Sequence, residues 1–228
     1  MISPKQEKPI LFNAQDVRAI LDGRKTQTRR LIKPQPFNGV NDEEAIKQMG
    51  GLPAGRSLYQ EINSAWQSGF VDINCSYGEP GDRLWVRETF GYEVRSLGGS
   101  PHEQIVYRAS KPDAVRCYDC NGMEQPIKWK PSIHMPRWAS RITLEITNVR
   151  VERIQGINGD DAIAEGIQSW IDSFKARPTY HQNSNLGGYP VTAFSRMWKS
   201  IYGDDYWDKN PWVWVIEFRR VERAEVAA

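Results

Sequence analysis

Cysteine and histidine are scarce in this 228-residue chain, at three residues each. A structural zinc needs four N or S ligands, and Cys117-Tyr118-Asp119-Cys120 is the single C-x-x-C, with Cys75, His102 and His134 the remaining soft side chains. Free thiols in a loop are the plainer reading, so neither a metal nor another cofactor is expected. An odd cysteine count suits a reducing cytoplasm. Charge of one sign is also lacking: 30 basic residues face 28 acidic ones, for a net +2. That balance argues against a chain whose main work is to coat nucleic acid. No apolar run approaches the roughly 20 residues that span a bilayer, and the polar stretch from Met1 to Pro9 does not resemble a signal peptide. The expected location is therefore cytoplasmic, with no membrane partner. A P-loop, a dinucleotide glycine fingerprint, H-E-x-x-H and a Ser-His-Asp set are all missing.

Tryptophan, by contrast, is abundant, at nine residues. Indole rings stack on bases, but they also fill cores, and Trp85, Trp212 and Trp214 sit in strand-like runs. The length fits one domain with insertions or two small domains. Pro9-Ile10-Leu11-Phe12 reads as a strand, and Asn13 can cap a helix running to about Leu21. Residues 34–80 are rich in Pro, Gly and Asn and read as an insertion, with one helical stretch at 42–49. Arg83 to Phe90 alternates as a strand, with Ile105 to Arg108 as its expected partner. Residues 109–137 form a second insertion. Ser140 to Val151 alternates with a slip at 147–148 that suggests a bulge. Gly159-Asp160-Asp161 opens a helix to about Trp170, the two Asp reading as caps rather than acids. A polar loop covers 172–190. A helix from Val191 to Tyr202 carries Phe194, Met197, Trp198 and Ile201 on one face, and Trp212 to Val221 is the last strand. Short alternating strands with few helices favour a small, mostly antiparallel barrel.

The densest chemistry lies in Gly23-Arg24-Lys25-Thr26-Gln27-Thr28-Arg29-Arg30. The preceding run has helical spacing, and Gly23 sits where a C-terminal cap belongs. A threonine hydroxyl attacks only when a base takes its proton, and a lysine is a base only when its cation is disfavoured. Arg24, Arg29 and Arg30 act in that direction on Lys25. A solvated basic loop, or one that touches phosphates, is the bland alternative.

The same octet resembles the signature of the ASCH family, which has a PUA-like fold. The resemblance extends to the Gly-capped helix before it, the turn and strand Gly81-Asp82-Arg83-Leu84-Trp85-Val86, the long strand near 140–153, the helix bearing Asp161-Ala162-Ile163-Ala164-Glu165-Gly166, and the final apolar strand. It covers most of the chain, with longer intervening segments. It implies an α+β chain: a single ASCH/PUA-like domain over residues 1–228, a small barrel with flanking helices and insertions near 34–80, 109–137 and 172–190. The family includes a bacterial N4-acetylcytidine amidohydrolase whose Lys, second Thr and distant Glu are taken as catalytic. By motif position these fall on Lys25, Thr28 and Glu165.

An acyl group on the exocyclic nitrogen of cytosine is an activated amide, and its cleavage needs a nucleophile, a proton acceptor and an oxyanion donor. Thr28 supplies a hydroxyl, Lys25 can accept its proton, and Glu165 can shuttle a proton to the leaving nitrogen or activate a water. An alternative makes Glu165 the base for a water and Thr28 only a hydrogen-bond donor. Backbone N–H groups in the 25–28 turn and the guanidinium of Arg30 are the candidates for binding the oxyanion, Arg30 being preferred over Arg29 because it falls on the Arg that ends the family motif. Trp85, Glu88 and Trp138 are further candidates to wall a substrate, and packing is the plain alternative for each. The expected partner is a nucleoside or nucleobase. The competing reading is a PUA-like RNA-binding module, or a ribonuclease, with Lys25, Arg29 and Arg30 on phosphates.

Overall fold

A computed structural model describes residues 6–67, 75–97, 100–175 and 189–221. Most of 172–190, the third expected insertion, lies outside the described residues. Contacts divide the chain into two compact units: residues 1–23, 81–145 and 219–228 form the first, and 24–80 with 146–218 the second. The expectation from sequence was a single domain.

In the first unit, β1 (Glu7–Leu11) runs parallel to β3 (Arg83–Arg87), and β3 pairs antiparallel with the start of β8 (Thr143–Arg153) through Glu145, Leu144 and Thr143. Helix α1 (Ala14–Leu21) begins where Asn13 accepts a hydrogen bond from the Asp16 N–H, and Gly23 follows it at φ +73°, a left-handed conformation that glycine adopts without Cβ strain. Ile105 to Arg108 was expected to pair with the strand from 83. Instead β4 (Phe90–Leu97) pairs with β5 (Ser100–Tyr107) as a separate hairpin. The alternation of Arg83 to Phe90 hides the break between β3 and β4 at residues 88–89. Gly91 in β4 packs closely: a Cβ there would lie 2.4 Å from Ile127. The second insertion folds into a small hairpin of β6 (Val115–Tyr118) and β7 (Glu124–Pro126), where Cys117 and Cys120 are free thiols.

In the second unit, β2 (Gln27–Leu31) pairs antiparallel with β9 (Trp212–Val221), Thr28 opposite Ile216 and Arg30 opposite Trp214. Helices α4 (Gly159–Ala164), α5 (Gln168–Lys175), α6 (Tyr189–Tyr202) and α7 (Asp204–Asp208) accompany this pair. Ile154, Ile167, Phe194, Trp198, Val213 and Val215 form its buried core. Phe194 and Trp198 are buried as the helical spacing predicts, whereas Ile201 is exposed and Tyr202 takes the place expected of it against that core. The first insertion contains α2 (Asp42–Gln48), as expected, and also α3 (Leu58–Gln67). In α3 the amide of Asn63 acts as a strand partner: it accepts from the Val151 N–H at 2.8 Å and donates to the Val151 carbonyl at 3.0 Å. It does so along β8 beyond the residues that β3 covers.

In the first unit β3 lies between β1 and the start of β8, and in the second β9 pairs with β2. The chain is α+β, with seven helices and three sheets among the described residues. The expected barrel does not close in them. The strand pairing is mostly antiparallel, as expected, and the parallel β1–β3 pair is a feature that the alternation of single strands could not reveal. No helix among the described residues is long and apolar enough to cross a membrane.

Candidate functional site

The Lys-Thr motif lies in the second unit and is held first by its backbone. The Thr26 N–H donates to the Ala164 carbonyl at 2.9 Å, and the Thr26 carbonyl accepts from the Phe218 N–H at 2.8 Å. One residue thus ties the end of α4 to β9. Beside it Lys25 forms an isolated bridge with Glu165. Its ammonium donates to the Glu165 carbonyl at 2.6 Å and to Glu165 Oε2 at 3.0 Å, and the two residues are 4% and 2% exposed.

Glu165 is not in the body of a helix. The helix expected to reach Trp170 stops at Ala164, because Gly166 turns left-handed at φ +78° and the chain restarts as α5. Glu165 is therefore a C-cap residue, and the Lys25 ammonium meets a carbonyl left unpaired by the helix end, where positive charge is favourable. Asn158 caps the other end by accepting from the Asp161 N–H.

Arg29 completes the cluster. It donates to Glu165 Oε1 at 3.2 Å, Asp161 Oδ2 at 2.9 Å and Glu152 Oε2 at 3.1 Å, with its side chain fully buried. Arg150 adds bonds to Glu152 and Asp161 and pairs with Glu217. Burial works to lower the Arg150 pKa, but the Glu152 hydrogen bond and the charges of Asp161 and Glu217 outweigh it and raise it. Three cations thus meet four carboxylates. Two expectations need correcting. Asp161 does not cap its helix with its side chain; its carboxylate holds two arginines. Arg29 is neutralised by carboxylates, so its charge is not left to act on Lys25.

Thr28 is buried in β2. Strand alternation sends Gln27 and Arg29 to one face, where both meet Asp161, and Thr28 and Arg30 to the other. Arg30 there lines a cleft of about 590 Å³ with Tyr77, Tyr202 and Trp214. Its guanidinium lies 5.9 Å from the Tyr77 ring centre and hydrogen-bonds Tyr202. Burial pushes the Tyr202 phenol above its ordinary range; Arg30 pulls it down, while Tyr77 and Glu165 push it up.

The other expected wall residues belong to the first unit. Glu88 is 2% exposed and closed by a two-pronged bond from Arg141, at 2.8 and 3.0 Å. Trp85 is half-buried, with the Arg87 guanidinium 5.4 Å from its ring centre. Trp138 lies in a short helical turn and is 69% exposed. Packing and pairing account for Glu88 and Trp85, the plain alternatives given for them. Sequence reasoning passed over Tyr77 and Tyr202 as cleft residues and read Asp161 as a cap. Compared with protein families, curated proteins and solved structures, the chain matches none.

Proposed function

We propose that this chain is an amidohydrolase that removes the acyl group from N4-acylated cytosine nucleosides, as its resemblance to the ASCH family implies. The observation that carries the reading is the buried Lys25–Glu165 pair, which joins the motif to a carboxylate 140 residues away. A buried ion pair is a poor means of gaining stability, because desolvating two charges offsets their attraction. A carboxylate kept charged and buried at that cost fits a reacting group held in place for chemistry. Lys25 donates to two oxygens of Glu165, so Glu165 handles the proton and Lys25 orients it. Attack by water on the acyl carbonyl releases a proton to Glu165, which passes it to the departing exocyclic nitrogen, giving a carboxylic acid and the free amine; attack by the Thr28 hydroxyl releases the amine in the same way and leaves an acyl ester that water then hydrolyses to the acid. The RNA-binding reading needs Lys25, Arg29 and Arg30 on phosphates; Lys25 and Arg29 are buried and paired within the protein, which leaves Arg30 alone at the cleft for that role.

The test is the ultraviolet absorbance of N4-acetylcytidine with purified protein, since deacylation changes the chromophore. Turnover is expected, and Glu165→Gln should lower it by about 10²–10⁴, the usual contribution of a positioned acid or base. Absence of turnover by the wild type overturns the proposal. Thr28→Ala identifies the nucleophile: lost turnover in a folded variant assigns attack to the threonine hydroxyl, and retained turnover assigns it to water.

A further inference from the structure

The cleft beside β2 has a composition that the amidohydrolase reading does not itself require. Its described lining contains two cations, Arg30 and Lys33, and no carboxylate. Three aromatic residues line the same cleft: Tyr77, Tyr202 and Trp214. Trp214 is braced by Trp66 at 5.0 Å between ring centres, and Tyr202 by Trp198 at 4.3 Å, so these walls are fixed before any ligand enters. Ser76 adds a hydroxyl at the rim, where Lys33 is exposed.

Aromatic faces with adjacent cations make a site for a flat base attached to an anion. The faces supply stacking at little conformational cost, and a guanidinium with an ammonium supplies charge-assisted hydrogen bonds to phosphate oxygens. The volume, about 590 Å³, falls in the range of sites that enclose one small molecule. It suits a mononucleotide rather than a strand, which would need an open groove tracking several phosphates.

We infer that the cleft lined by Arg30, Lys33, Tyr77, Tyr202 and Trp214 binds a pyrimidine nucleoside 5′-monophosphate, with Arg30 and Lys33 on the phosphate. The inference rests on the amidohydrolase reading only for the identity of the base, which becomes cytosine or its N4-acylated form. It places the enzyme's substrate among nucleotides, where the phosphate supplies binding energy remote from the amide being cleaved.

Isothermal calorimetry with cytidine 5′-monophosphate, cytidine, inorganic phosphate and a short oligocytidylate tests it. The monophosphate is expected to bind about tenfold or more tightly than cytidine, the equivalent of about 1.4 kcal/mol. Lys33→Gln, at an exposed position, should reduce that preference about threefold without disturbing the fold, and Arg30→Gln should reduce it further. Equal affinity for cytidine and its monophosphate overturns the inference, as does an oligonucleotide that binds more tightly than the monomer. A preference untouched by Lys33→Gln and Arg30→Gln also overturns it, because the phosphate then sits elsewhere. Turnover of N4-acetylcytidine is measured separately. Turnover without a phosphate preference leaves the hydrolase standing and removes the nucleotide; phosphate preference without turnover of either N4-acetylcytidine or its monophosphate does the reverse.

Discussion

Two glutamates, one in each unit, are buried to the same degree and yet differ in kind. Glu88 has a single partner residue, Arg141, which fills both carboxylate oxygens in a two-pronged bond and is itself partly open to solvent. Glu165 divides its oxygens between Lys25 and Arg29, both buried, and Arg29 continues to Asp161 and Glu152. The first arrangement closes on itself, so it serves packing. The second is a branched network reaching from a strand to a helix end and a second strand. Equal burial therefore hides two different electrostatic settings, which the number and origin of the partners tell apart.

The comparison breaks first at Arg29. Arg29→Met leaves Asp161, Glu152 and Glu165 short of a buried partner, and stability in urea should fall by about 3–5 kcal/mol. A loss under 1 kcal/mol would mean that the network is not a single unit. Next comes the pair itself. Glu88→Gln should cost about 1–3 kcal/mol of stability by unbalancing the Arg141 bond, whereas Glu165→Gln should show its main loss in turnover of N4-acetylcytidine. If Glu88→Gln lowers turnover beyond the loss of folded protein, Glu88 belongs with the substrate after all.

In the first unit, Gly91→Ala forces a methyl group against Ile127 and should cost about 1–3 kcal/mol, read as a fall in Tm. The smallest effect concerns Tyr202. Its phenol is held above the ordinary 10.0, chiefly by burial, so the folded state keeps its proton where the unfolded chain releases it. That stability is fully present below pH 10 and is lost as pH rises through the folded value. Tyr202→Phe should flatten part of this alkaline loss in denaturant titrations between about pH 9 and 11; an unchanged profile would show that Tyr202 does not titrate there.

What the sequence revealed was local. Asn13 as a cap and Gly23 after the helix were readable because each acts on residues a few positions away. Two equally local signals were passed over. Gly166 follows Ala162-Ile163-Ala164-Glu165 and ends α4 there. Ser57-Leu58-Tyr59-Gln60 is a capping box in which the Ser57 N–H meets Gln60 Oε1 and the Gln60 N–H meets Ser57 Oγ, and it opens α3. The ionic network was illegible for another reason: Arg29 meets carboxylates 123, 132 and 136 residues away, and no spacing rule reaches that far. The resemblance supplied the pairing of Lys25 with Glu165, while the neutralisation of Arg29 needed coordinates. Likewise Tyr77 and Tyr202 join Arg30 only through the fold.

The side chain of Asn63 has a consequence beyond the site. It occupies both backbone groups of Val151, on a stretch of β8 that β3 does not reach. An uncovered strand edge invites pairing with another chain, and proteins blunt such edges in several ways. Here one amide stands in for an entire neighbouring residue and closes the ladder with a group that cannot extend it. Its carboxamide fits that duty because it carries both groups: aspartate lacks the donor, and leucine of similar size lacks both. Resistance to self-association during folding would then depend on one polar side chain in a helix the sequence hardly advertises.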